Sequence, residues 1–503
     1  MKKIIALILA IISTFSVVSL VGCVEQGAPV LKTADGLLVL TEENKDKIKY
    51  KEAKTYEYTP AVSKTIQSTG LGDGVMPIMG FWGPWEENYY GGTYLPDLRT
   101  PEIFEAIADA GINMVMQCNE DYSRTPEDVI QALVNCQNAG ISYMVTDVSL
   151  VDIKSIGYET DISLVENSQE IWDYKIGIWN QYESFAGMYI RDEPVTAHAE
   201  SIGKAMDKWN TALTNNGIDP ADKYAYTNFF PYGYIITREG KYTYEKHIEE
   251  MVTKGKMDFL SYDLYPFQWP GTDHFQGGFY VNLAKMYTEA KKYNLPWWSC
   301  IQAGGEWVGN TVDLHTASKW PTFEQVLWEA NMFLAYGAKG LDYFTLCQPH
   351  SYNTYIQYGG GAGLFDPLGN KTYLYYAAQV INQQALACDH MLMNATNHGI
   401  IQKGKLMGGV NSLGLTAEIK EDTFRELIGV TEECTTVIGC FDVYGKTMLY
   451  VMNSNWNEDT EVELEFDNTY AYDVVQRAEE ITVVGKKLKL RLNPGEGVMV
   501  ALR

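Results

Sequence analysis

Short apolar runs alternate with longer amphipathic segments along most of the chain, and this rhythm begins near residue 75. A short apolar run bounded by turn residues is typical of a buried strand, and apolar positions at helical spacing are typical of an amphipathic helix. Repeated strand–helix units indicate a parallel sheet covered by helices. Eight runs fit such strands, at 75–82, 112–118, 141–148, 185–192, 223–230, 257–265, 295–303 and 339–347.

The segments between these runs carry helix signals. The stretch TPEIFEAIADAG, residues 100–111, opens with Thr, Pro and Glu, which are favoured at the cap, the first position and the first turn, and it closes at a Gly. Further helices are predicted within 321–340 and 375–395. Eight strands alternating with helices over about 270 residues match a (β/α)8 TIM barrel, which is predicted for residues 73–395.

An open, doubly wound sheet is the alternative for these units. Such a sheet usually carries a Gly-rich phosphate-binding turn after its first strand. Neither a GxGxxG nor a Walker pattern occurs in the chain, so the barrel is favoured.

Beyond residue 395 the pattern changes to a period of two. The segments TMLYVMNSN, TEVELEF, KKLKLRL and GVMVALR alternate apolar and polar residues, as strands with one buried face do. Residues 396–503 are therefore predicted to form a small antiparallel β-sandwich.

Residues 1–23 have the layout of a secretory signal, with two lysines, a long apolar run and then small residues. The last four, LVGC, resemble a bacterial lipoprotein signal. The resemblance implies that Cys23 is lipidated and anchors the protein at the cell surface, on the outer face of the bacterial membrane. An uncleaved anchor helix is the alternative. The polar residues 24–72, with the charged run EENKDKIKYKEAK, are predicted to be a linker.

The chain has 64 acidic and 39 basic residues and a net charge of −25, which argues against nucleic acid or an anionic lipid surface as a partner. Contact with a membrane is expected through the lipid anchor only. No CxxC pair and no His/Cys cluster with zinc spacing occurs, so no metal or other cofactor is predicted. Cys434 and Cys440 are a candidate disulfide pair, and the sequence does not indicate an oligomeric state.

In a TIM barrel the carboxyl ends of the strands face the active site, and here these ends carry carboxylates, amides and aromatic rings. Flat rings suit the apolar faces of sugars, and amides and acids suit sugar hydroxyl groups. An oligo- or polysaccharide is therefore the predicted ligand. The candidate binding residues are Trp82, Trp85, Asp192, Asn228, Asp263, Tyr265, Trp269, Gln302 and Trp307.

Glycoside cleavage needs two carboxyl groups flanking the scissile bond. Glu193, after the fourth strand, and Glu306, after the seventh, are the best pair. Residues 76–390 resemble clan A glycoside hydrolases in the segments YIRDEP, DFLSYDLYPF, LAYGAKGLDYFTL and GLFDPLGNKTYLYY. The resemblance implies a retaining glycoside hydrolase acting on an extracellular glycan, with Glu193 as general acid/base, Glu306 as nucleophile and an accessory C-terminal sandwich.

The chain departs from that family at Asp192, where most members carry Asn. Hexosaminidases that use the substrate's own 2-acetamido group end the fourth strand in an Asp-Glu pair, in which Asp orients the acetamido group and Glu is the acid. Under that alternative Glu306 only binds substrate. A third hypothesis is a surface lipoprotein that binds glycans without catalysis. Both glutamates lie where the two-carboxylate mechanism needs them, which favours the first hypothesis.

The candidate residues also have structural alternatives. Glu193 would begin the following helix if Pro194 were its first residue. Glu306 follows two glycines and would then lie beyond the strand end. Asp263 and Asn228 would stabilise turns.

Overall fold

The structure is a computed structural model. The described part of the chain contains a parallel barrel, a larger antiparallel sheet and a separate two-stranded antiparallel sheet. The described residues are 30–33, 36–39, 74–85, 88–90, 93–116, 126–147, 150–151, 168–267, 275, 278–304, 320–347, 363–366, 368–409, 426–431 and 433–503.

Strands and helices are numbered here in chain order. The strands are β1 (Val30–Thr33), β2 (Gly36–Val39), β3 (Ile78–Gly80), β4 (Asn88–Tyr90), β5 (Thr93–Leu95), β6 (Met114–Met116), β7 (Ser142–Val145), β8 (Phe185–Asp192), β9 (Tyr224–Asn228), β10 (Leu260–Asp263), β11 (Trp297–Gln302), β12 (Gly340–Phe344), β13 (Thr396–Lys403), β14 (Leu427–Val430), β15 (Thr436–Val443), β16 (Lys446–Asn453), β17 (Thr460–Gln476), β18 (Glu479–Leu492) and β19 (Gly497–Leu502). The longer helices are α1 (Pro101–Asp109), α2 (Pro126–Asn138), α3 (Gln169–Trp179), α4 (Ala199–Asn215), α5 (Tyr244–Thr253), α6 (Gly278–Tyr293), α7 (Phe323–Ala335) and α8 (Tyr373–Leu392). Short helical turns occupy Thr196–His198, Pro220–Asp222, Tyr232–Tyr234, Ile235–Glu239 and Met407–Gly409.

Eight parallel strands form the barrel, in the order β10, β11, β12, β3, β6, β7, β8, β9. The ring closes between β9 and β10, where Phe229 bridges Tyr262 and its N–H donates to the carbonyl oxygen of Ser261 at 2.8 Å. Neighbours in the ring are thus neighbours in sequence, as in a (β/α)8 barrel. The predicted TIM barrel is confirmed, and each of its strands lies within the range predicted from the sequence.

Local sequence signals explain several of these boundaries. Helix α1 begins at Pro101 and is followed by Gly111, whose φ of +74° suits a residue without a Cβ. Thr322 and Gln325 form a reciprocal capping box at the start of α7. The first residue of β12 is Gly340, where a Cβ would lie 2.6 Å from the Trp298 ring on β11. These signals set the element ends, while burial of both faces of the barrel strands sets their apolar character.

The C-terminal sheet is sandwich-like, with two layers around a core of its own. Alternate residues of β16 and β19 face opposite ways: Tyr450 and Met499 pack toward the barrel, whereas Leu449 and Val500 pack into the second core. The first half of β17 and the end of β18 cover that core from the other side, through residues such as Leu464. The predicted antiparallel sandwich is therefore present.

Buried hydrogen bonds join the sheet to helix α7 of the barrel. Trp328 Nε1 donates to the carbonyl oxygen of Ser454 at 3.0 Å. Asn331 Nδ2 donates to the carbonyl oxygen of Gly495 at 2.8 Å, and its Oδ1 accepts from Tyr450 Oη at 2.7 Å. Because these groups are buried, separating the two parts would leave them without partners.

Strands β1 and β2 lie within the segment predicted to be a linker. They form an antiparallel hairpin, and β1 pairs with β18 so that Leu31 lies opposite Leu490. The two strands, VLKT and GLLV, are four residues each. The predicted signal, with Cys23, lies outside the described residues. Among the helices that the structure describes, none is long and apolar enough to cross a membrane.

The candidate disulfide between Cys434 and Cys440 is wrong, because both thiols are free and buried. Cys434 Sγ donates to the carbonyl oxygen of Thr431 at 3.0 Å and lies 3.2 Å from Thr436 Oγ1. Cys440 lies within the extended strand β15, so the chain between the two cysteines separates their Cα atoms by far more than the roughly 7 Å that a disulfide allows.

Candidate active site

The fourth barrel strand, β8, is bulged just before its acidic end. It is in register with β9 up to Tyr189 and again from Arg191, so Ile190 is the extra residue. A bulge shifts the alternation of side chains by one residue, and here it places Asp192 opposite Asn228. The sequence pattern does not reveal this shift, because the run that precedes Arg191 is continuously apolar.

Asp192 therefore shares a face of the sheet with Asn228, because side chains in register on neighbouring strands lie on the same face. Asn228 is buried, and its Oδ1 accepts from Cys300 Sγ at 3.8 Å inside the barrel. Asp192 is half-buried on this inner face, and Arg191 is buried beside it. The bulge thus turns Asp192, rather than Arg191, toward the barrel interior.

Glu193 follows directly at the carboxyl end of the strand. Its N–H donates to the carbonyl oxygen of Asn228 at 2.8 Å, and its φ is +39°, an uncommon conformation for a residue with a side chain. Helix α4 begins only at Ala199, after the turn Thr196–His198. The alternative in which Glu193 begins the following helix is therefore wrong, and Glu193 is half-buried at the barrel mouth.

Three aromatic side chains form what we call the platform, consisting of Trp82, Tyr265 and Phe344. The Tyr265 ring stacks on Phe344 with centroids 5.0 Å apart, and Trp82 lies 5.4 Å from Phe344. All three rings are half-buried at the ends of strands six, one and eight, so they combine packing with an accessible surface. Trp82 also has a positive φ, of 53°. Backbone strain of this kind concentrates at functional sites.

A buried polar cluster, here called the lumen network, lies below this mouth and consists of Tyr226, Ser261, Cys300 and Asp342. Tyr226 Oη donates to Asp342 Oδ2 at 2.9 Å and lies 2.9 Å from Ser261 Oγ. Cys300 Sγ donates to the same carboxyl oxygen at 3.5 Å. Cys300 also contacts Asn228, so the network extends from the barrel interior to the row that contains Asp192.

Burial controls the charge of Asp342. Desolvation raises the pKa of its carboxyl from 3.8 to about 7, while the hydrogen bonds from Tyr226 and Cys300 act in the opposite direction. Its Oδ1 is buried with no hydrogen-bond partner among the described residues, which is consistent with a group that is readily protonated.

The side-chain amide of Gln302, at the end of the seventh strand, forms hydrogen bonds with the protein backbone. Its Oε1 accepts from the N–H of Phe267 at 2.8 Å, and its Nε2 donates to the carbonyl oxygen of Phe267 at 2.9 Å. The N–H of Gln302 in turn donates to Glu329 Oε2 at 3.0 Å. In this structure Gln302 therefore holds the segment after the sixth strand, and its predicted role in binding substrate stays a prediction.

The remaining predicted residues divide into three groups. Asp263 is half-buried at the end of β10 and lies in register with Cys300, next to the lumen network. Trp85 is a predicted stacking surface, but its side chain is 3% exposed and packs in the core, and its carbonyl oxygen accepts from the N–H of Leu98. The structure does not describe Glu306, Trp269 and Trp307.

Several residues of the site region have no counterpart among the predicted site residues, namely Phe344, Glu329 and the lumen network of Tyr226, Ser261, Cys300 and Asp342. Phe344 ends the eighth strand, so its position alone was a usable signal. Asp342 lies within an apolar strand and Glu329 within an apolar helix, and an isolated acid in such a run is the signal that was missed. In the residues that the structure describes, no group of His, Cys, Asp and Glu side chains is arranged to hold a metal ion.

No protein-family model and no curated protein matches the chain. Solved structures match it in fold, among them Amy13B from Eubacterium rectale, with 12% identity, a TM-score of 0.46, and coverage of 89% of this chain and 99% of that chain. A cycloisomaltooligosaccharide glucanotransferase from Paenibacillus sp. has 9% identity and a TM-score of 0.47, covering 84% of this chain and 85% of the other. An endo-β-1,4-mannanase from Thermotoga petrophila has 10% identity and a TM-score of 0.38, covering 85% and 93%. At these values the likeness is one of barrel fold alone.

Proposed function

We propose that the protein is a retaining glycoside hydrolase that acts on an extracellular oligo- or polysaccharide. The observation that carries the proposal is the position of Glu193, which ends the fourth barrel strand in a strained conformation and is held to Asn228 by a backbone hydrogen bond. Carboxyl groups at this end of a TIM barrel face the active site. The platform supplies the flat apolar surfaces that a sugar ring needs.

In the proposed mechanism Glu193 donates a proton to the glycosidic oxygen as the bond to the anomeric carbon breaks. The Glu306 carboxylate attacks that carbon from the opposite side and forms a covalent glycosyl–enzyme intermediate. Glu193 then takes a proton from water, which attacks the anomeric carbon and releases Glu306. This double displacement retains the anomeric configuration and requires carboxyl groups about 5–5.5 Å apart.

The test compares the wild type, truncated to begin at residue 24, with three variants, Glu193→Gln, Glu306→Gln and Glu306→Ala, on a panel of aryl glycosides. Removing a general acid or nucleophile lowers kcat by about 10²–10⁴-fold or more, with the folded state unchanged. Azide with Glu306→Ala is expected to restore turnover and to yield a glycosyl azide of inverted configuration. Full activity of the Glu306 variants would reject Glu306 as the nucleophile. Glycan binding without any turnover by the wild type would favour the non-catalytic alternative.

The second candidate is a substrate-assisted hexosaminidase, and the bulge at Ile190 is the observation that favours it. Because the bulge turns Asp192 to the inner face, this carboxylate lies next to Glu193 on the barrel side where a 2-acetamido group would bind. In that mechanism Asp192→Asn abolishes cleavage of N-acetylated sugars while Glu306→Ala leaves it intact. The opposite pattern, loss in Glu306→Ala on sugars without an acetamido group, supports the two-carboxylate mechanism.

We also propose that Cys23 carries the lipid anchor and places the protein on the outer face of the membrane. The layout of residues 1–23 supports this. Full-length protein is expected to partition into the membrane fraction and to incorporate a labelled fatty acid, and Cys23→Ala is expected to lose both properties. Membrane retention of Cys23→Ala without label would instead indicate an uncleaved anchor helix.

A further inference from the structure

We propose that Gln302 and Glu329, here called the clamp, are positioning residues. They determine where the Tyr265 ring lies at the barrel mouth and how it is oriented. Trp456, in the connection between β16 and β17, is part of the same support. This inference rests on the proposed function, because the Tyr265 ring belongs to the substrate-binding face of that site.

The first part of the clamp is a two-point hold on one residue. Gln302 both accepts from the N–H of Phe267 and donates to its carbonyl oxygen, at 2.8 and 2.9 Å. The two bonds satisfy both backbone polar groups of a residue that is 1% exposed and that also forms an isolated antiparallel bridge with Phe275. The Gln302 amide thus ties this part of the chain directly to the end of the seventh strand.

The second part is a buried acid that anchors Gln302 itself. Glu329, on α7, is 0% exposed, and its Oε2 accepts from the N–H of Gln302 at 3.0 Å. Burial raises the pKa of the Glu329 carboxyl well above its usual range. An isosteric Gln keeps the acceptor oxygen, and this makes Glu329→Gln a conservative variant.

Aromatic packing fixes the side chain of Phe267. Its ring contacts Phe275, Trp328 and Trp456, with centroids 6.0, 6.2 and 5.6 Å away. Trp456 lies in the connection between β16 and β17 of the C-terminal sheet, and its ring centroid is 5.0 Å from that of Trp328 of the barrel. The C-terminal sheet therefore reaches the segment that follows the sixth strand.

These contacts bracket Tyr265 between two fixed points. The strand ends at Asp263 on one side, and Phe267 is clamped on the other, with Pro266 restricting the backbone between them. The Tyr265 ring stacks on Phe344, and Phe344 is the register partner of Gln302 on the neighbouring strand. Gln302 therefore contacts both supports of the ring: it holds Phe267, two residues after Tyr265, and it pairs with Phe344, on which the ring stacks.

The test compares Gln302→Leu, Glu329→Leu and Glu329→Gln in the full soluble chain. Gln384→Leu is the matched control, because Gln384 makes an equivalent two-point hold, on Val475 and Ala478, far from the barrel mouth. Hydrogen exchange of the Phe267 amide is expected to quicken about tenfold or more in both Leu variants of the clamp, and to stay unchanged in Glu329→Gln and in the control.

Kinetics are measured on the aryl glycoside that the wild type cleaves most efficiently. In the Leu variants of the clamp, KM is expected to rise about tenfold while kcat stays within about twofold of the wild-type value, because a misplaced platform weakens substrate binding rather than the chemical step. Trp456→Ala is expected to raise KM in the same direction. Unchanged exchange at Phe267 in Gln302→Leu, or an equal rise of KM in Gln384→Leu, would overturn the inference. A wild type that cleaves no glycoside defeats the proposed function, whereas the exchange rates still decide the clamp.

Discussion

The backbone N–H of Glu193 donates to the carbonyl oxygen of Asn228 at 2.8 Å, so the proposed acid/base residue is tied to the neighbouring barrel strand through its own backbone. This bond holds Glu193 at a φ of +39°, which costs free energy for any residue with a Cβ. The barrel thus maintains a strained residue at its mouth, and the position of the Glu193 carboxyl is set by the fold rather than by side-chain rotation alone.

The strain predicts a gain in stability when Glu193 is replaced by glycine. Glu193→Gly is expected to raise the free energy of unfolding by about 1 kcal/mol relative to Glu193→Ala, because glycine adopts a positive φ without a steric penalty. Both variants are expected to lose activity. Urea unfolding of the two proteins measures the difference, and equal midpoints would show that the backbone at this position is not strained.

The Asp342 carboxyl predicts a stability that falls as pH rises. Its pKa is about 7 in the folded protein against an ordinary value of 3.8, so between these values the folded state binds more protons than the unfolded state. The free energy of unfolding therefore decreases from this source by about 2 kcal/mol between pH 5 and pH 7.

Asp342→Asn is the variant that isolates this contribution, because its amide oxygen can still accept from Tyr226. Urea unfolding at pH 5 and pH 7 is expected to show a smaller loss in the variant than in the wild type. An identical loss in both proteins would mean that Asp342 does not titrate in this range.

The barrel could be predicted from the sequence because its information is local. Each strand is an apolar run and each helix an amphipathic stretch. The alternation of the two, which begins near residue 75, is therefore enough to predict the order of the barrel strands. The position of Glu193 follows from the same rhythm, since it comes directly after the apolar run of the fourth strand. The hairpin of β1 and β2 was missed because its stability depends on pairing with β18, more than four hundred residues away in the chain.

The inner face of the site could not be predicted, because it depends on register. Whether Arg191 or Asp192 turns inward is decided by the bulge at Ile190, and an unbroken apolar run contains no sign of it. Likewise Tyr226 and Asp342 meet across 116 positions of the chain. Trp85 is of a residue type that suits a stacking platform, yet its side chain is buried. The chain comes back past it at Leu98, whose N–H donates to the Trp85 carbonyl oxygen.

A buried histidine predicts the opposite pH dependence at acid pH. Burial lowers the pKa of His247 from 6.5 to about 3, with a further contribution from the nearby His198, so the unfolded state binds more protons in that window. The free energy of unfolding is therefore expected to fall by about 2 kcal/mol between pH 6.5 and pH 5 from this source. Thr196 Oγ1 lies 2.9 Å from His247 Nδ1.

His247→Gln is expected to lose this part of the acid sensitivity, as measured by urea midpoints at pH 7 and pH 5. The matched control is His398→Gln, because His398 is exposed and its substitution leaves burial unchanged. If both variants show the same pH dependence as the wild type, His247 is not the source of the acid sensitivity.

The interface between barrel and sheet predicts that the two parts unfold together. Asn331 bonds both Tyr450 and the carbonyl oxygen of Gly495, so Asn331→Leu leaves two buried groups unsatisfied and is expected to cost about 2–4 kcal/mol. Tyr450→Phe removes only one bond and should cost about 1 kcal/mol. In the double variant the loss is expected to be smaller than the sum, because the unsatisfied Tyr450 hydroxyl is gone. Calorimetry should show a single transition that shifts in all three variants, whereas a separate transition for the sheet would show that these bonds do not couple it to the barrel.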